Sequence, residues 1–319
     1  MPALPIPGYG KRLQFSAKSG KIAGIGCELM PRNVGSNLAE EGDAMQNNHS
    51  KRSKKRTGFV TFILGLLLVV SVVPALAITW GEPDSIHTNV GAMVVDYPDF
   101  GPFQWCSGTL VHPQVFVTAG HCTVDLADFG ITTVWVNFDQ HALNEPTLLD
   151  VAQVITHPDY NWGPTSDPHD LGILVLAQPV TTITPAPLPT VGYLDDLKDA
   201  GLLRQGNDVA SFTLVGYGGT LSWPPPVITY EDERQMATSS YQALLNAWLR
   251  MSQNQATGNG GTCYGDSGGP AFWTEPDGTE VLVGVTSWGD VPCVNSAFQY
   301  RVDTAESLAF INNVIASLP

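Results

Sequence analysis

The sequence predicts an all-β protein of two packed barrels followed by a C-terminal α-helix, and three observations carry that prediction. Beyond residue 77 the chain falls into short β-rich runs separated by Gly, Pro, Asp and Asn, the pattern of a sandwich or barrel. The 242 residues from 78 to 319 exceed what one core usually organises and suit two. Helical signals are confined to a candidate around Ser239–Met251 and a clearer one at the chain end.

Strands are expected over Val90–Val95, Leu110–Thr118, Thr132–Phe138, Asp208–Val215 and Glu280–Trp288, where β-branched and aromatic residues concentrate between turn residues. At the terminus Asp303 is placed to cap a helix, with Glu306 three positions later. Leu308, Ile311, Val314, Ile315 and Leu318 then recur at helical spacing. This helix is expected to dock on the β domain.

The chain before residue 78 has a different character. Residues 51–56 are Lys-Arg-Ser-Lys-Lys-Arg, followed by an uncharged apolar run from Phe59 and then Pro74-Ala75-Leu76-Ala77. A basic head, an apolar stretch and a small-x-small site make a signal peptide. An uncleaved signal anchor competes, because the run approaches the roughly 20 residues of a membrane span; cleavage is the preferred reading. Residues 1–44 then form a non-native or disordered leader, 45–77 the signal peptide with Met45 as its start, and 78–319 an exported domain. The product is expected to be secreted, with a membrane as partner only if the segment stays uncleaved.

Up to residue 57 there are ten Lys/Arg against four Asp/Glu, but from residue 78 onward five against 26. So acidic a domain opposes polyanions, and no nucleic-acid partner is expected. Cys106, Cys122, Cys263 and Cys293 are an even set in an oxidising compartment and suggest two disulfides; Cys27 is left over before the signal segment. No C-x-x-C pair or nearby His cluster points to a metal, so neither metal nor cofactor is expected. Asp195-Asp196 and Glu231-Asp232-Glu233 read as solvated charge rather than as calcium ligands.

Three segments carry chemistry. In Gly265-Asp266-Ser267-Gly268-Gly269-Pro270 the glycines let the backbone turn sharply and bring amides close to a ligand, leaving the serine approachable; plain turn composition is the bland alternative. Cys106-Ser107-Gly108-Thr109-Leu110 leads to Thr118-Ala119-Gly120-His121-Cys122, a strand pair closed by a bridge over 16 residues, which places His121 rigidly. Asp170 opens the apolar strand Leu171-Gly172-Ile173-Leu174-Val175-Leu176. Asp167 competes with it but stands before Pro168 and outside the run.

In this order the three segments resemble the catalytic motifs of the trypsin/chymotrypsin family, with 49 residues from His121 to Asp170 and 97 from Asp170 to Ser267. The resemblance extends from about Ile78 to the terminal helix. It implies two six-stranded antiparallel barrels with a triad in the cleft, and a monomeric serine endopeptidase acting on proteins or peptides. It also implies Ser267 as nucleophile, His121 as general acid/base, Asp170 as its orienter, and the Gly265 and Ser267 amides as oxyanion donors. Ser287-Trp288-Gly289 resembles the segment lining the substrate cleft, its serine supporting Asp170 and its backbone pairing with extended substrate. Cys263 and Cys293 match the bridge bracing the nucleophile loop.

Two departures follow from the same resemblance. Activation in the family uses a freed terminus whose ammonium pairs with the aspartate before the nucleophile, here Asp266. No separate propeptide is visible, yet cleavage after Ala77 would expose Ile78-Thr79-Trp80-Gly81, so secretion itself is expected to activate the enzyme. At the base of the primary pocket stands Gly261 rather than an aspartate, which argues against Lys or Arg as the residue cleaved. Gly289 leaves the mouth open and Phe298 is expected to shorten the pocket, favouring cleavage after small or medium apolar residues. The rivals are an inactive homologue serving as a binding module, an α/β-hydrolase and a membrane-anchored adhesion protein. No triad residue is missing, and both the motif and the residue order are wrong for an α/β-hydrolase.

Overall fold

The computed structural model describes residues 78–144, 147–162, 165–205, 210–222, 227–230 and 232–319. The leader, the signal segment through Ala77, Cys27, Asp208 and Glu231 lie outside the described residues. A two-residue β1 (Glu82–Pro83) precedes β2 (Val90–Tyr97), β3 (Gly101–His112), β4 (Val115–Thr118), β5 (Val134–Asn137), β6 (Leu149–Thr156) and β7 (Gly172–Leu176). Strands β2 to β7 close into an antiparallel barrel in the order β2-β3-β4-β7-β6-β5. Every residue of Gly172–Leu176 is buried, as in a strand covered on both faces.

The second half holds β8 (Ser211–Gly216), a separate hairpin of β9 (Gly219–Ser222) and β10 (Val227–Tyr230), then β11 (Gln235–Leu244), β12 (Trp248–Ser252), β13 (Pro270–Thr274), β14 (Glu280–Gly289) and β15 (Ser296–Arg301). Six of these run β11-β12-β15-β14-β13-β8, and β8 pairs back onto β11, closing the second barrel; β1 adds to β11. Closure removes the open edges that would otherwise invite aggregation. The α-helices among the described residues are the short α1 (Gly120–Thr123), α2 (Tyr193–Asp199) and the terminal α3 (Ala305–Ala316). None is long and apolar enough to cross a membrane. The expected class, two six-stranded barrels with a terminal helix, is what the chain forms.

Three local expectations are corrected. The run Leu110–Thr118 is a hairpin rather than one strand: β3 ends at His112, and Pro113, which has no N–H to give a ladder, stands at the turn before β4 begins at Val115. The helix expected over Ser239–Met251 is instead the β11–β12 hairpin, closed by the Leu245 N–H on the Trp248 carbonyl at 2.8 Å. Gln235, Ala237, Ser239 and Tyr241 are buried at a spacing of two, and pairing on both sides overrides the helix propensity of Ala, Leu and Gln. The cap of α3 is Thr304, whose hydroxyl accepts the Ser307 N–H at 3.1 Å. Asp303 is engaged elsewhere, accepting Arg301 Nε at 2.9 Å and Nη2 at 2.7 Å as well as the Leu194 N–H at 2.9 Å.

Leu110, Phe116, Ile173 and Leu174 fill the first barrel, and Leu308, Ile311 and Val314 of α3 join the same buried cluster. Phe212, Leu214, Leu249 and Met251 fill the second. Arg234 ties the two halves together: its buried guanidinium meets Asp84 Oδ2 at 2.9 Å and donates to the Phe138 carbonyl at 3.0 Å and the Tyr217 hydroxyl at 3.1 Å.

Candidate active site

Motifs from the two barrels meet in one place. Strand β4 ends at Thr118 and delivers His121 on the single turn α1; β7 begins at Gly172, just after Asp170. A Cβ on Gly172 would sit 2.7 Å from both the Ala119 carbonyl oxygen and Thr123 Oγ1, so only glycine allows this approach. The Cys106–Cys122 disulfide spans Cα atoms 6.3 Å apart and ties α1 to β3, and Trp105 Nε1 donates to the Cys122 carbonyl at 3.1 Å.

Asp170 is fully buried. Its Oδ2 accepts His121 Nδ1–H at 2.9 Å, its Oδ1 accepts the His121 backbone N–H at 2.9 Å, and the Ser287 hydroxyl also donates to Oδ2. Burial by itself would raise the Asp170 pKa, but the charge and hydrogen bonds of His121 and the Ser287 hydroxyl hold it below the ordinary carboxylate value. For His121 burial pulls downward, and the Asp170 charge and hydrogen bond outweigh it and raise the pKa. With Nδ1–H committed to Asp170, Nε2 is the free ring nitrogen. Trp162 flanks the ring at 5.9 Å between centroids. Asp167, the competing aspartate, lies apart and accepts the Tyr300 hydroxyl at 2.8 Å.

Ser267 is brought to this pair by Ser107. The Ser107 N–H donates to the Ser267 carbonyl at 2.8 Å, its hydroxyl donates to the Gly265 carbonyl at 3.0 Å, and its carbonyl accepts Thr118 Oγ1–H at 2.7 Å. Gly268, at φ +82°, lies against Thr118 and Ala119 so closely that a Cβ there would overlap Thr118 Oγ1 at 2.0 Å. Gln104 Nε2 adds a second donor to the Gly265 carbonyl at 2.9 Å. Among the described residues no hydrogen bond joins Ser267 to His121, and neither the Gly265 nor the Ser267 amide has an acceptor. Gly265 stands at φ +96°, a conformation that favours glycine.

Asp266 is fully buried and accepts the Gly218 N–H at 2.7 Å and the Cys263 N–H at 2.8 Å. Burial pushes its pKa up to about 7, against the pull of those two donors. Ile78 is buried as well, and Thr79 pairs with Gly261 on the same loop, the Gly261 N–H reaching the Thr79 carbonyl at 2.9 Å. The Cys263–Cys293 disulfide, Cα atoms 5.3 Å apart, fastens this loop.

On the other wall, β14 presents Ser287, Trp288 and Gly289. The Phe298 ring stacks on Trp288 at 3.7 Å, with the Arg250 guanidinium 5.5 Å from its centroid. The atoms nearest to a Cβ on Gly261 all belong to Gln253, a residue the sequence reading did not single out, like Ser107 in its linking role. Of the acidic loops, Asp195 pairs with Arg301 at 2.6 Å, Asp232 accepts the Leu143 N–H and Glu233 accepts Gln140. Asp167, His169 and Glu306 bring possible ligand atoms within 4.8 Å of one another on a partly exposed surface. The Cys106/His121/Cys122 group offers no thiolates, because its sulfurs are bonded together.

The family model described as Trypsin matches residues 78–309. The chain is 28% identical to serine protease 28 of Mus musculus over 228 residues, covering 66% of this chain and 77% of that protein. It is 30% identical to a tryptase of the same organism over 204 residues, 58% and 69% of the two chains. A trypsin of Phaedon cochleariae is 31% identical over 216 residues, 62% and 76%. With its fold, its two disulfides and this match over most of its length, the chain belongs to the trypsin family and is a serine endopeptidase.

Proposed function

We propose that the enzyme is secreted and cleaves peptide bonds through a Ser267-His121-Asp170 triad and a covalent acyl-enzyme. One observation carries the reading: a fully buried Asp170 receives the imidazole N–H, the backbone N–H of the same histidine and the Ser287 hydroxyl, which fixes the ring with Nε2 free for a proton. A neutral serine hydroxyl is a poor nucleophile until an adjacent base takes its proton. Ser267 Oγ attacks the scissile carbonyl carbon while its proton passes to His121 Nε2. The C–N bond then breaks as the imidazolium returns that proton to the leaving amine, and water repeats the sequence on the acyl ester, releasing the acid and free Ser267. Asp170 stays ionised and favours the imidazolium.

The unpaired Gly265 and Ser267 amides suit the oxyanion of the tetrahedral intermediate, where one donor is worth about 3 kcal/mol. With Gly261 in place of a carboxylate, the pocket has no counter-charge for Lys or Arg and takes small or medium apolar residues. Removal of a signal peptide after Ala77 frees the Ile78 ammonium, which pairs with Asp266 and completes the loop.

The test is the intact mass of the exported protein before and after a fluorophosphonate, beside a Ser267→Ala control. The expected result is one adduct on a species beginning at Ile78, none on the control, and a fall in turnover on the order of 10⁶ for Ser267→Ala. A folded, trimmed protein that takes no adduct would make it a binding homologue without catalysis.

A further inference from the structure

Between the loop that carries Ser267 and the end of β14 lies the space the proposed reaction leaves for the side chain before the scissile bond, and one residue already stands in it. Gln253 follows directly on β12, its backbone N–H held by the Asn295 carbonyl at 2.9 Å. Its side chain turns inward and is completely buried. Nε2 donates to the Thr262 carbonyl at 2.5 Å, which fixes the amide orientation, since a carbonyl partner demands the N–H end.

The amide lies flat against Gly261. A Cβ on that glycine would meet Gln253 Cγ at 2.2 Å, Nε2 at 2.4 Å and Cδ at 2.6 Å, while a Cβ on Gly289 would stand 3.7 Å from Oε1. The carboxamide thus spans from the base of the pocket to its far wall. Gly261 is a glycine because Gln253 needs that volume, not because the pocket is deep. Oε1 is buried with no hydrogen-bond partner, so the group is held by packing and the single Thr262 bond.

We infer that Gln253 is the specificity-determining residue of this protease, a plug that occupies the base of the primary pocket and restricts cleavage to positions after short, uncharged side chains. The inference rests on the triad reading above and deepens it. A long side chain, aromatic or basic, must displace an amide anchored at both its backbone N–H and its Nε2. A short one ends before it reaches the amide. Specificity here is set by filled volume rather than by the absent charge at position 261, and Phe298, stacked on Trp288, takes no part in it.

The experiment measures kcat/KM on peptides identical except for Ala, Val, Leu, Phe or Arg before the scissile bond, with the wild type and Gln253→Ala. The wild type should prefer Ala and Val over Phe and Arg by on the order of 10²-fold, the discrimination a few methylenes of misfit produce. Gln253→Ala should move the Phe-to-Ala ratio toward Phe by a similar factor, with Arg gaining far less. A wild type that cleaves after Leu or Phe as readily as after Ala overturns the inference, and so does a folded Gln253→Ala enzyme with an unchanged profile. Should Gln253→Ala fold poorly, Gly261→Ala and Gly261→Ala/Gln253→Ala decide the matter by stability. The plug geometry requires Gly261→Ala to be destabilised and the double variant to recover most of that loss; no recovery refutes it. Fluorophosphonate labelling of the wild type at Ser267 separates the two claims, because a labelled enzyme with a flat profile fails the plug alone, whereas an unlabelled one fails the triad reading beneath it.

Discussion

Replacing Asp266 by Asn perturbs the uncut and cut chains in opposite directions. In the uncut chain the carboxyl is buried, receives only the Gly218 and Cys263 N–H groups, and is pushed up to about 7 from 3.8. A shift of that size disfavours the charged form by about 4 kcal/mol at 1.36 kcal/mol per pH unit. Below pH 3.8 the group is protonated in both the folded and the unfolded chain and contributes nothing. As pH rises from about 4 to 7 the unfolded chain loses its proton first, so stability falls, and above about 7 it levels off. The wild type should therefore lose about 4 kcal/mol relative to Asp266→Asn across that interval, read from urea unfolding of the uncut chain at a series of pH values. In the form beginning at Ile78 the signs reverse. There Asp266→Asn leaves a buried ammonium without its partner, which costs about 3–5 kcal/mol and lowers kcat/KM on the order of 10²–10³-fold. Full activity in the cut Asp266→Asn enzyme, or identical pH profiles for the two uncut chains, would refute the reasoning.

The remaining predictions concern the triad and the terminal helix. Because Asp170 raises the His121 pKa and only the neutral imidazole accepts a proton, the acid limb of kcat/KM should lie above the ordinary imidazole value; in Asp170→Asn it should move down and kcat should fall about 10⁴-fold, as this substitution does in Ser-His-Asp sites. Ser287→Ala removes one of the donors on Asp170 and should lower kcat roughly tenfold, a hydrogen bond to a charged group being worth about 1.5–3 kcal/mol; a pH–rate profile identical to wild type would count against a link through Asp170. Thr304→Ala should cost about 1 kcal/mol as a lost cap, whereas Asp303→Ala should cost about 2–3 kcal/mol because it leaves the buried Arg301 with only the exposed Asp195 as carboxylate partner; equal losses in urea unfolding would return the capping role to Asp303.

The three motif segments were legible because each states its own local requirement. Gly172 admits Ala119, Gly268 admits Thr118, and an apolar strand after Asp170 demands burial. The β11–β12 hairpin was not legible, since Ser239 to Met251 is built from residues with fair helix propensity. What selects the strand is the pairing of Gln235–Ser240 with β8, from 19 to 29 positions earlier in the chain. Ser107 was quoted for its neighbours and not for itself. Its work as a link among Ser267, Gly265 and Thr118 depends on two barrels meeting, which no single segment encodes. Gln253 is set by register in the same way: Ser252 pairs with Ser296, so the next residue is carried past the strand end to lie against Gly261.

The proposed pairing of the Ile78 ammonium with Asp266 is also supported by a count of cations. From residue 78 onward the chain has only Lys198, Arg204, Arg234, Arg250 and Arg301. Arg234 is bound to Asp84, Arg301 to Asp195 and Asp303, Arg250 lies over Phe298 beside the Ser296 hydroxyl, Arg204 donates to the Gly201 carbonyl, and Lys198 sits in the last turn of α2. Among the described residues no side-chain cation is paired with Asp266, and burial pushes its pKa up to about 7 against the pull of its two N–H donors. A buried carboxylate without a counter-charge is costly, and a freed chain terminus is a cation that an acidic domain can still supply. Cleavage after Ala77, as proposed, would supply one such charge at Ile78, whose neighbour Thr79 is paired with Gly261. The scarcity of Lys and Arg thus favours the proposed activation pair, and the Asp266→Asn experiment tests it.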